Sequence, residues 1–377
     1  MAAKLVNKGF SGWSQFGVLL GMIGVGLVAG TVAAAGTWSV FTGQGLAQMQ
    51  QDMMNPKFAG AIKAVQLIST LFIFFLPAVA FAFICYRNGW LALGFRKNFN
   101  FKIAGFCLLI IIASLPFIDW LSSVNKAIPI PAVTKKYFDD LEKTYEDQVK
   151  VIGDVKSVGQ YLVSLFMIAL LPALFEEVLF RGALQNLLSR WKYNSYLYIF
   201  FAAVLAMSAK AIWLKSINPW VFYGVLIVLV LLLLRSRAVT DLLNRVTNHY
   251  ALPIILTAIL FSLVHASWYG FIPRLVLGLV LGLLFYRTNN ILYAIIVHFF
   301  NNAAVVTIMF IAALQNKPVT NAEEQGFPWW LGIISLGVVF FLFNRLAKQP
   351  NISGPDEITD DRSNPFKKAI PENNPEE

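Results

Sequence analysis

Ten apolar stretches recur along this 377-residue chain, most of them close to the roughly 20 residues that carry an α-helix across a bilayer. They lie near Phe16–Phe41, Ala59–Cys85, Ile103–Leu121, Val158–Leu179, Tyr196–Leu214, Trp220–Leu234, Leu252–Trp268, Leu275–Tyr286, Ile291–Leu314 and Trp329–Leu346. Inside hydrocarbon every backbone N–H and C=O must be satisfied within the protein, which leaves helices or closed barrels, and continuous apolar runs of this length specify helices. The fold expected is an all-α, polytopic transmembrane bundle of about ten spans. Composition agrees, because at 58% hydrophobic and 13% charged residues too little polar surface remains to coat a water-soluble globule.

The net charge of +10 follows from membrane topology and does not call for a nucleic-acid partner. Basic clusters fall after even numbers of crossings: Lys4/Lys8, Arg87/Arg96/Lys97/Lys102, Arg181/Arg190/Lys192, Arg235/Arg237/Arg245, Arg287 and Arg345/Lys348. Positive residues favour the cytoplasmic side, so a multi-pass protein of the cell membrane with both termini cytoplasmic is expected, with Lys210, Lys215 and Arg274 against the trend. The first span is long for the apolar region of a signal peptide and is read as a retained helix. Cys85 and Cys107 lie in apolar runs and behave as small hydrophobes.

Residues 1–157 are read as N-terminal helices with one long hydrophilic connection, Ser122 to Lys156. There Phe138, Leu141, Tyr145, Val149 and Ile152 recur at helical spacing, as in an amphipathic helix on the outer surface, with a solvated loop as the alternative. Residues 158–314 form the core, 315–348 the last span. Residues 349–377 are rich in Asn, Pro and acids and are expected to be disordered. Glycine pairs Gly17/Gly21, Gly26/Gly30 and Gly278/Gly282 have the spacing that lets membrane helices approach closely and are read as packing.

An ionisable side chain within hydrocarbon costs roughly 2.5–3.5 kcal/mol on insertion scales, so each needs a partner or a purpose. Glu176, Glu177 and Arg181 lie in an apolar helix; Glu177 and Arg181 are four apart and can pair, while Glu176 is turned onto another face. His265 follows Phe261 in the seventh span. His298 and Asn302, again four apart, share a face of the ninth. Two of the chain's three histidines thus sit in apolar helices together with an acid pair and an amide, an inventory that points to a catalytic or ion-handling site. A carboxylate can take a proton from water and an imidazole can hold that water. A second imidazole and an amide can donate to the oxyanion formed when water attacks a peptide carbonyl, a contribution worth about 2.7–4 kcal/mol per donor. Water-mediated peptide hydrolysis is the chemistry this set fits.

At these residues the sequence resembles the CPBP (Abi) family of membrane proteases, relatives of the endopeptidase that trims prenylated CAAX proteins. The motifs are Glu176-Glu177-xxx-Arg181, Phe261-xxx-His265 and His298-xxx-Asn302, flanked by Phe180-Arg181-Gly182, Gly270-Phe271-Ile272-Pro273-Arg274 and Leu277-Gly278-Leu279-Val280-Leu281-Gly282. The resemblance spans roughly Val158 to Ile311. It implies that Glu176 is the general base, assisted by His265, that His298 and Asn302 stabilise the oxyanion, and that Glu177, Arg181 and Phe261 support them. A metal-free reaction is favoured because no His-Glu-x-x-His helix is present; the zinc alternative would use Glu176, His265 and His298. The implied partners are a peptide or membrane-protein substrate and the lipid bilayer.

The chain departs from the family pattern between Arg181 and Phe261, where an excess near residues 194–248 contains two apolar stretches. An even number of added crossings returns the chain to the same side. Depth adds a further constraint: with a span ending at Leu179, Glu176 would sit at the membrane edge while His265 lies about 20 Å along its helix. A single helix from Val158 to Arg190, bent at Pro172, with Arg181 buried against Glu177, removes the conflict. The rival readings are an ion- or proton-coupled transporter, which predicts an inverted repeat that is not visible here, and a non-catalytic membrane scaffold.

Overall fold

The computed structural model describes residues 4–53, 55–153, 157–190, 199, 202–203, 206–207, 218–236, 250–315, 326–349 and 357–360. The protein is a multi-pass bundle of α1 (Gly12–Thr42), α2 (Pro56–Cys85), α3 (Phe101–Ala127), α4 (Ala132–Gly153), α5 (Val158–Arg190), α6 (Pro219–Arg235), α7 (Ala251–Leu263), α8 (Phe271–Thr288), α9 (Ile291–Leu314) and α10 (Trp329–Ala347). Seven of these, α1 to α3, α5 and α8 to α10, are long and apolar enough to cross a membrane; α6 and α7 contain shorter apolar helices. The expected fifth stretch, Tyr196–Leu214, lies mostly outside the described residues, as does His249.

The core helix α5 runs unbroken from Val158 to Arg190, as the depth constraint required. It is not uniformly α-helical: Leu165–Leu170 and Val178–Gln185 are π-helical. The first of these stretches ends two residues before Pro172, and in α2 a π-helical stretch, Leu71–Phe75, ends two residues before Pro77. Proline lacks an N–H and crowds the carbonyl four residues back, so a widened turn before it keeps a long helix continuous.

Close approach is what the glycines supply, though not at every pair. A Cβ on Gly26 would strike the backbone oxygen of Phe72, which is how α1 packs on α2, whereas Gly17 and Gly21 face open space. Among the described residues, none makes the packing expected of that pair. Outward-facing Val28, Val32 and Val40 on α1 are exposed in the isolated chain, as residues bathed by lipid tails should be. The main core gathers Leu93 and Cys107 with Leu187, Phe261, Leu281 and Val297, drawn from both halves of the chain.

Two sequence expectations change. Within the tail expected to be disordered, Glu357–Asp360 forms β2, pairing in parallel with β1, Lys4–Asn7; the strand ladder satisfies backbone groups that a free tail would leave to water. The seventh span also stops early. α7 ends at Leu263, so His265 lies in the turn Val264–Gly270 instead of inside a helix reaching Trp268. Ala266 adopts a positive φ of 51°, and Pro273 in the first turn of α8 favours a fresh helix start over continuation.

Candidate active site

Glu177 is the hub of the buried charges. Its Oε1 accepts from Arg181 Nη1 at 2.9 Å, the four-residue pairing expected along α5. The same oxygen lies 2.9 Å from Nδ1 of His298 on α9. Glu177 and Arg181 are fully buried and His298 is 3% exposed. Arg181 Nη2 donates to the carbonyl of Gly278 at 3.0 Å, and its guanidinium lies 4.6 Å from the centre of the Phe261 ring, close enough for a cation–π contact. A buried cation is tolerable only with partners of this kind.

One turn further along α5, Gln185 Nε2 donates to the carbonyl of Gly282 at 3.0 Å. Arg181 and Gln185 thus grip two carbonyls one turn apart on α8. The glycines at those positions also let α7 approach: a Cβ on Gly282 would lie 2.8 Å from Ile254 Cγ2, and one on Gly278 3.0 Å from Ala258 Cα. The pair read from the sequence as packing alone therefore also receives the hydrogen bonds that dock the acid-bearing helix. Gly282→Ala is expected to lower stability by about 1–3 kcal/mol, as overpacking of a tight core does, measured by denaturant unfolding in detergent; an unchanged midpoint would contradict this packing.

Glu176 faces a different neighbourhood. Its Oε2 lies 3.9 Å from Nε2 of His265 and 3.9 Å from Nε2 of His298. That is too long for a direct hydrogen bond and suits a bridging water. This oxygen is buried without a hydrogen-bond partner among the described residues. His265 Nδ1 lies 2.8 Å from the Phe261 carbonyl. Since a carbonyl and a carboxylate can only accept, both imidazoles carry their proton on Nδ1 when neutral and turn a bare Nε2 toward Glu176. Phe261 sits between them, with ring centres 5.1 Å from His265 and 5.7 Å from His298 in edge-on contact, and fixes their separation.

Helices α5 and α9 and the α7–α8 turn therefore bring Glu176, His265 and His298 together, with Glu177, Arg181 and Phe261 directly behind them. Asn302, half-buried one turn beyond His298, receives a long hydrogen bond of 3.4 Å from Asn301; helical spacing puts it on the His298 face. His265 is the most open of the three, its side chain 28% exposed against 11% for Glu176. A cavity of about 200 Å³ lies elsewhere, lined by Asn7, Gln15, Tyr86 and Arg190 near the paired termini, away from this cluster.

Zinc ligands bound at about 2.0–2.1 Å in a tetrahedron stand about 3.4 Å apart. The 3.9 Å separations of Glu176 from the two imidazoles are wider, and among the described residues no group of three or more His, Cys, Asp or Glu is arranged to hold a metal ion. As placed, these side chains do not fit a zinc ion.

The turn carrying His265 is covered by α4, which is a helix and not the solvated loop that was the alternative. Ser267 Oγ donates to Glu142 Oε2 at 2.8 Å, Tyr269 OH donates to Asp139 Oδ1 at 2.7 Å, and the rings of Phe138 and Trp268 are 5.3 Å apart. Hydrogen bonds from Lys135 and then Tyr269 hold the Asp139 carboxyl below its ordinary pKa, which keeps it an acceptor for both. Nothing in the local sequence signals this docking, the Glu177–His298 bond or the Gln185 grip. All three join residues remote in the chain, and only the helical spacing of Arg181/Gln185 and Gly278/Gly282 hinted at one of them.

No curated protein and no solved structure matches the chain at a significant level. The sequence model of the family described as type II CAAX prenyl endopeptidase Rce1-like matches it in two pieces, residues 158–240 and 232–304, less than half of the chain. The two pieces meet within the expected insertion, 194–248, and together they contain Glu176, Glu177, Arg181, His265, His298 and Asn302. With its motifs in family order on α5, on the α7–α8 turn and on α9, the core of this chain is similar to the CPBP family, through the type II CAAX prenyl endopeptidase model that residues 158–304 match.

Proposed function

We propose that the protein is an intramembrane endopeptidase in which Glu176 activates water for attack on a peptide carbonyl. The observation that carries this reading is the buried Glu176 Oε2, without a hydrogen-bond partner among the described residues and 3.9 Å from the Nε2 of each of two imidazoles. An acceptor so placed is satisfied by a water that it and an imidazole hold in common. Glu176 takes one proton as the water oxygen bonds to the carbonyl carbon, and His265 Nε2 accepts the water's other hydrogen bond. The negative charge that develops on the carbonyl oxygen falls to His298 and Asn302. With Nδ1–H committed to Glu177, His298 can donate through Nε2 only as the imidazolium, while the Asn302 amide donates in any protonation state. Collapse of the tetrahedral species breaks the C–N bond, and Glu176 returns its proton to the departing amine. No nucleophilic serine, cysteine or metal is needed for this sequence of steps.

The substrate on this reading is a peptide or the terminal segment of a membrane protein, reaching the site from the more open His265 side. The basic clusters orient the chain with both termini cytoplasmic in the cell membrane. The transporter and scaffold readings find less support, because the titratable groups gather at one place and the acid is left poised beside two imidazoles.

The test is cleavage of candidate peptides, prenylated and unmodified, by purified protein in detergent, with His265→Ala and Asn302→Ala beside the parent and with and without a chelator. Turnover is expected to survive chelation, to fall by about 10²–10³-fold in Asn302→Ala, as loss of one oxyanion donor does, and to fall comparably in His265→Ala. Turnover abolished by the chelator and restored by zinc, or retained in both variants, would overturn the mechanism.

A further inference from the structure

We propose that Asn125 of α3, with Asp139 and Glu142 of α4, is a set of positioning residues that holds His265 in its working place. The inference rests on the reading of His265 given above. His265 stands on a turn and not within a helix, so no i to i−4 ladder fixes its backbone, and the next residue, Ala266, is in the left-handed region at φ 51°. A non-glycine residue there persists only where the surroundings over-determine it.

The surroundings are supplied from outside the α7–α8 pair. Asn125, 1% exposed, spans the far end of the turn with both ends of its amide: Nδ2 donates to the Trp268 carbonyl at 2.8 Å, and Oδ1 accepts from the Ile272 N–H at 3.1 Å. Glu142 accepts from Ser267, whose Oγ in turn accepts from the Gly270 N–H at 3.1 Å. Asp139 accepts from Tyr269, and Phe138 packs on Trp268. Four successive residues of the turn, Ser267 to Gly270, are thereby tied down, directly or through Ser267, while the Phe261 carbonyl holds the ring of His265 from the other side. A buried amide that uses both ends on backbone groups of one turn fixes that turn more tightly than side-chain packing does, because shifting it would leave buried polar atoms unsatisfied. Asn125, Phe138, Asp139 and Glu142 all precede residue 158, where the family match begins, so the brace reaches the matched core from outside it.

The chain's three histidines make the test direct. Histidine-labelled protein in detergent gives imidazole nitrogen signals assignable by single substitutions, read for Asn125→Ala, for the surface variant Asp139→Ala/Glu142→Ala, and for Glu142→Gln, whose amide oxygen can still accept from Ser267. The first two are expected to shift and broaden the His265 signals while those of His298 stay in place. They should also lower kcat by about 10–100-fold with KM little changed, in line with the sensitivity of rates to small misplacements. Glu142→Gln should retain the His265 signals and the rate. His265 signals unchanged in both disruptive variants, or His265 and His298 moving together as in a general loosening, would overturn the proposal. The surface variant leaves Asn125 and the buried core untouched, so it decides the matter even where Asn125→Ala fails to fold. The imidazole readout needs no turnover: a wild-type protein that cleaves no peptide would sink the protease reading and leave this test standing.

Discussion

Glu176→Gln is expected to lower peptide turnover by about 10²–10⁴-fold, the range over which a positioned general base acts, with thermal unfolding in detergent unchanged or shifted upward. The two halves of that expectation come from the same geometry. Among the described residues Glu176 Oε2 has no hydrogen-bond partner, so replacing the carboxylate by an amide of the same shape removes no native hydrogen bond at that atom and relieves a buried charge. What disappears is the ability to accept a proton. A variant that unfolds would indicate that Glu176 is structural; one that turns over at the parental rate would remove it from the chemistry.

The adjacent acid should behave in the opposite way. Glu177→Ala leaves Arg181, fully buried, without its ion-pair partner and takes the acceptor from His298 Nδ1. Breaking a buried pair from one side typically destabilises by about 3–5 kcal/mol. The double variant Glu177→Ala/Arg181→Leu removes the stranded charge as well and is expected to recover much of the lost stability without recovering activity, since His298 still lacks the group that orients it. A double-mutant cycle on unfolding free energies in detergent, run beside peptide cleavage, separates the two contributions. If Glu177→Ala unfolds at the parental midpoint, or the double variant regains turnover, the division of labour between the neighbouring glutamates is wrong.

The pairing of Glu177 with Arg181, and the different facing of Glu176, were legible in the sequence because they follow from periodicity. Residues 177 and 181 meet on one helix face wherever the helix goes, and residue 176 cannot share that face. The continuous helix Val158–Arg190 was legible too, by a depth argument from where two residues had to meet. The long-range contacts were not. Nothing local to His298 shows that its Nδ1 reaches Glu177 rather than Glu176, since that depends on how α9 is rotated against α5, and rotation is set by packing over the whole interface. The early end of α7 escaped notice for another reason: Leu263 and Val264 are as apolar as the helix before them, and hydropathy alone does not register a turn that is stabilised from α3 and α4. Likewise β2 sits in a segment whose prolines and acids suggest disorder, and its pairing partner is more than three hundred residues away.

The most direct measurement is a single turnover in ¹⁸O-labelled water, with enzyme in excess over a peptide substrate, followed by mass spectrometry of the product and of the peptide bearing Glu176. Direct attack by a water held on Glu176 places one ¹⁸O in the new carboxyl group of the product and none in Glu176. If the carboxylate itself were the nucleophile, the first product would be released unlabelled and the heavy oxygen would be found on Glu176, and the account of a glutamate-held water would be contradicted.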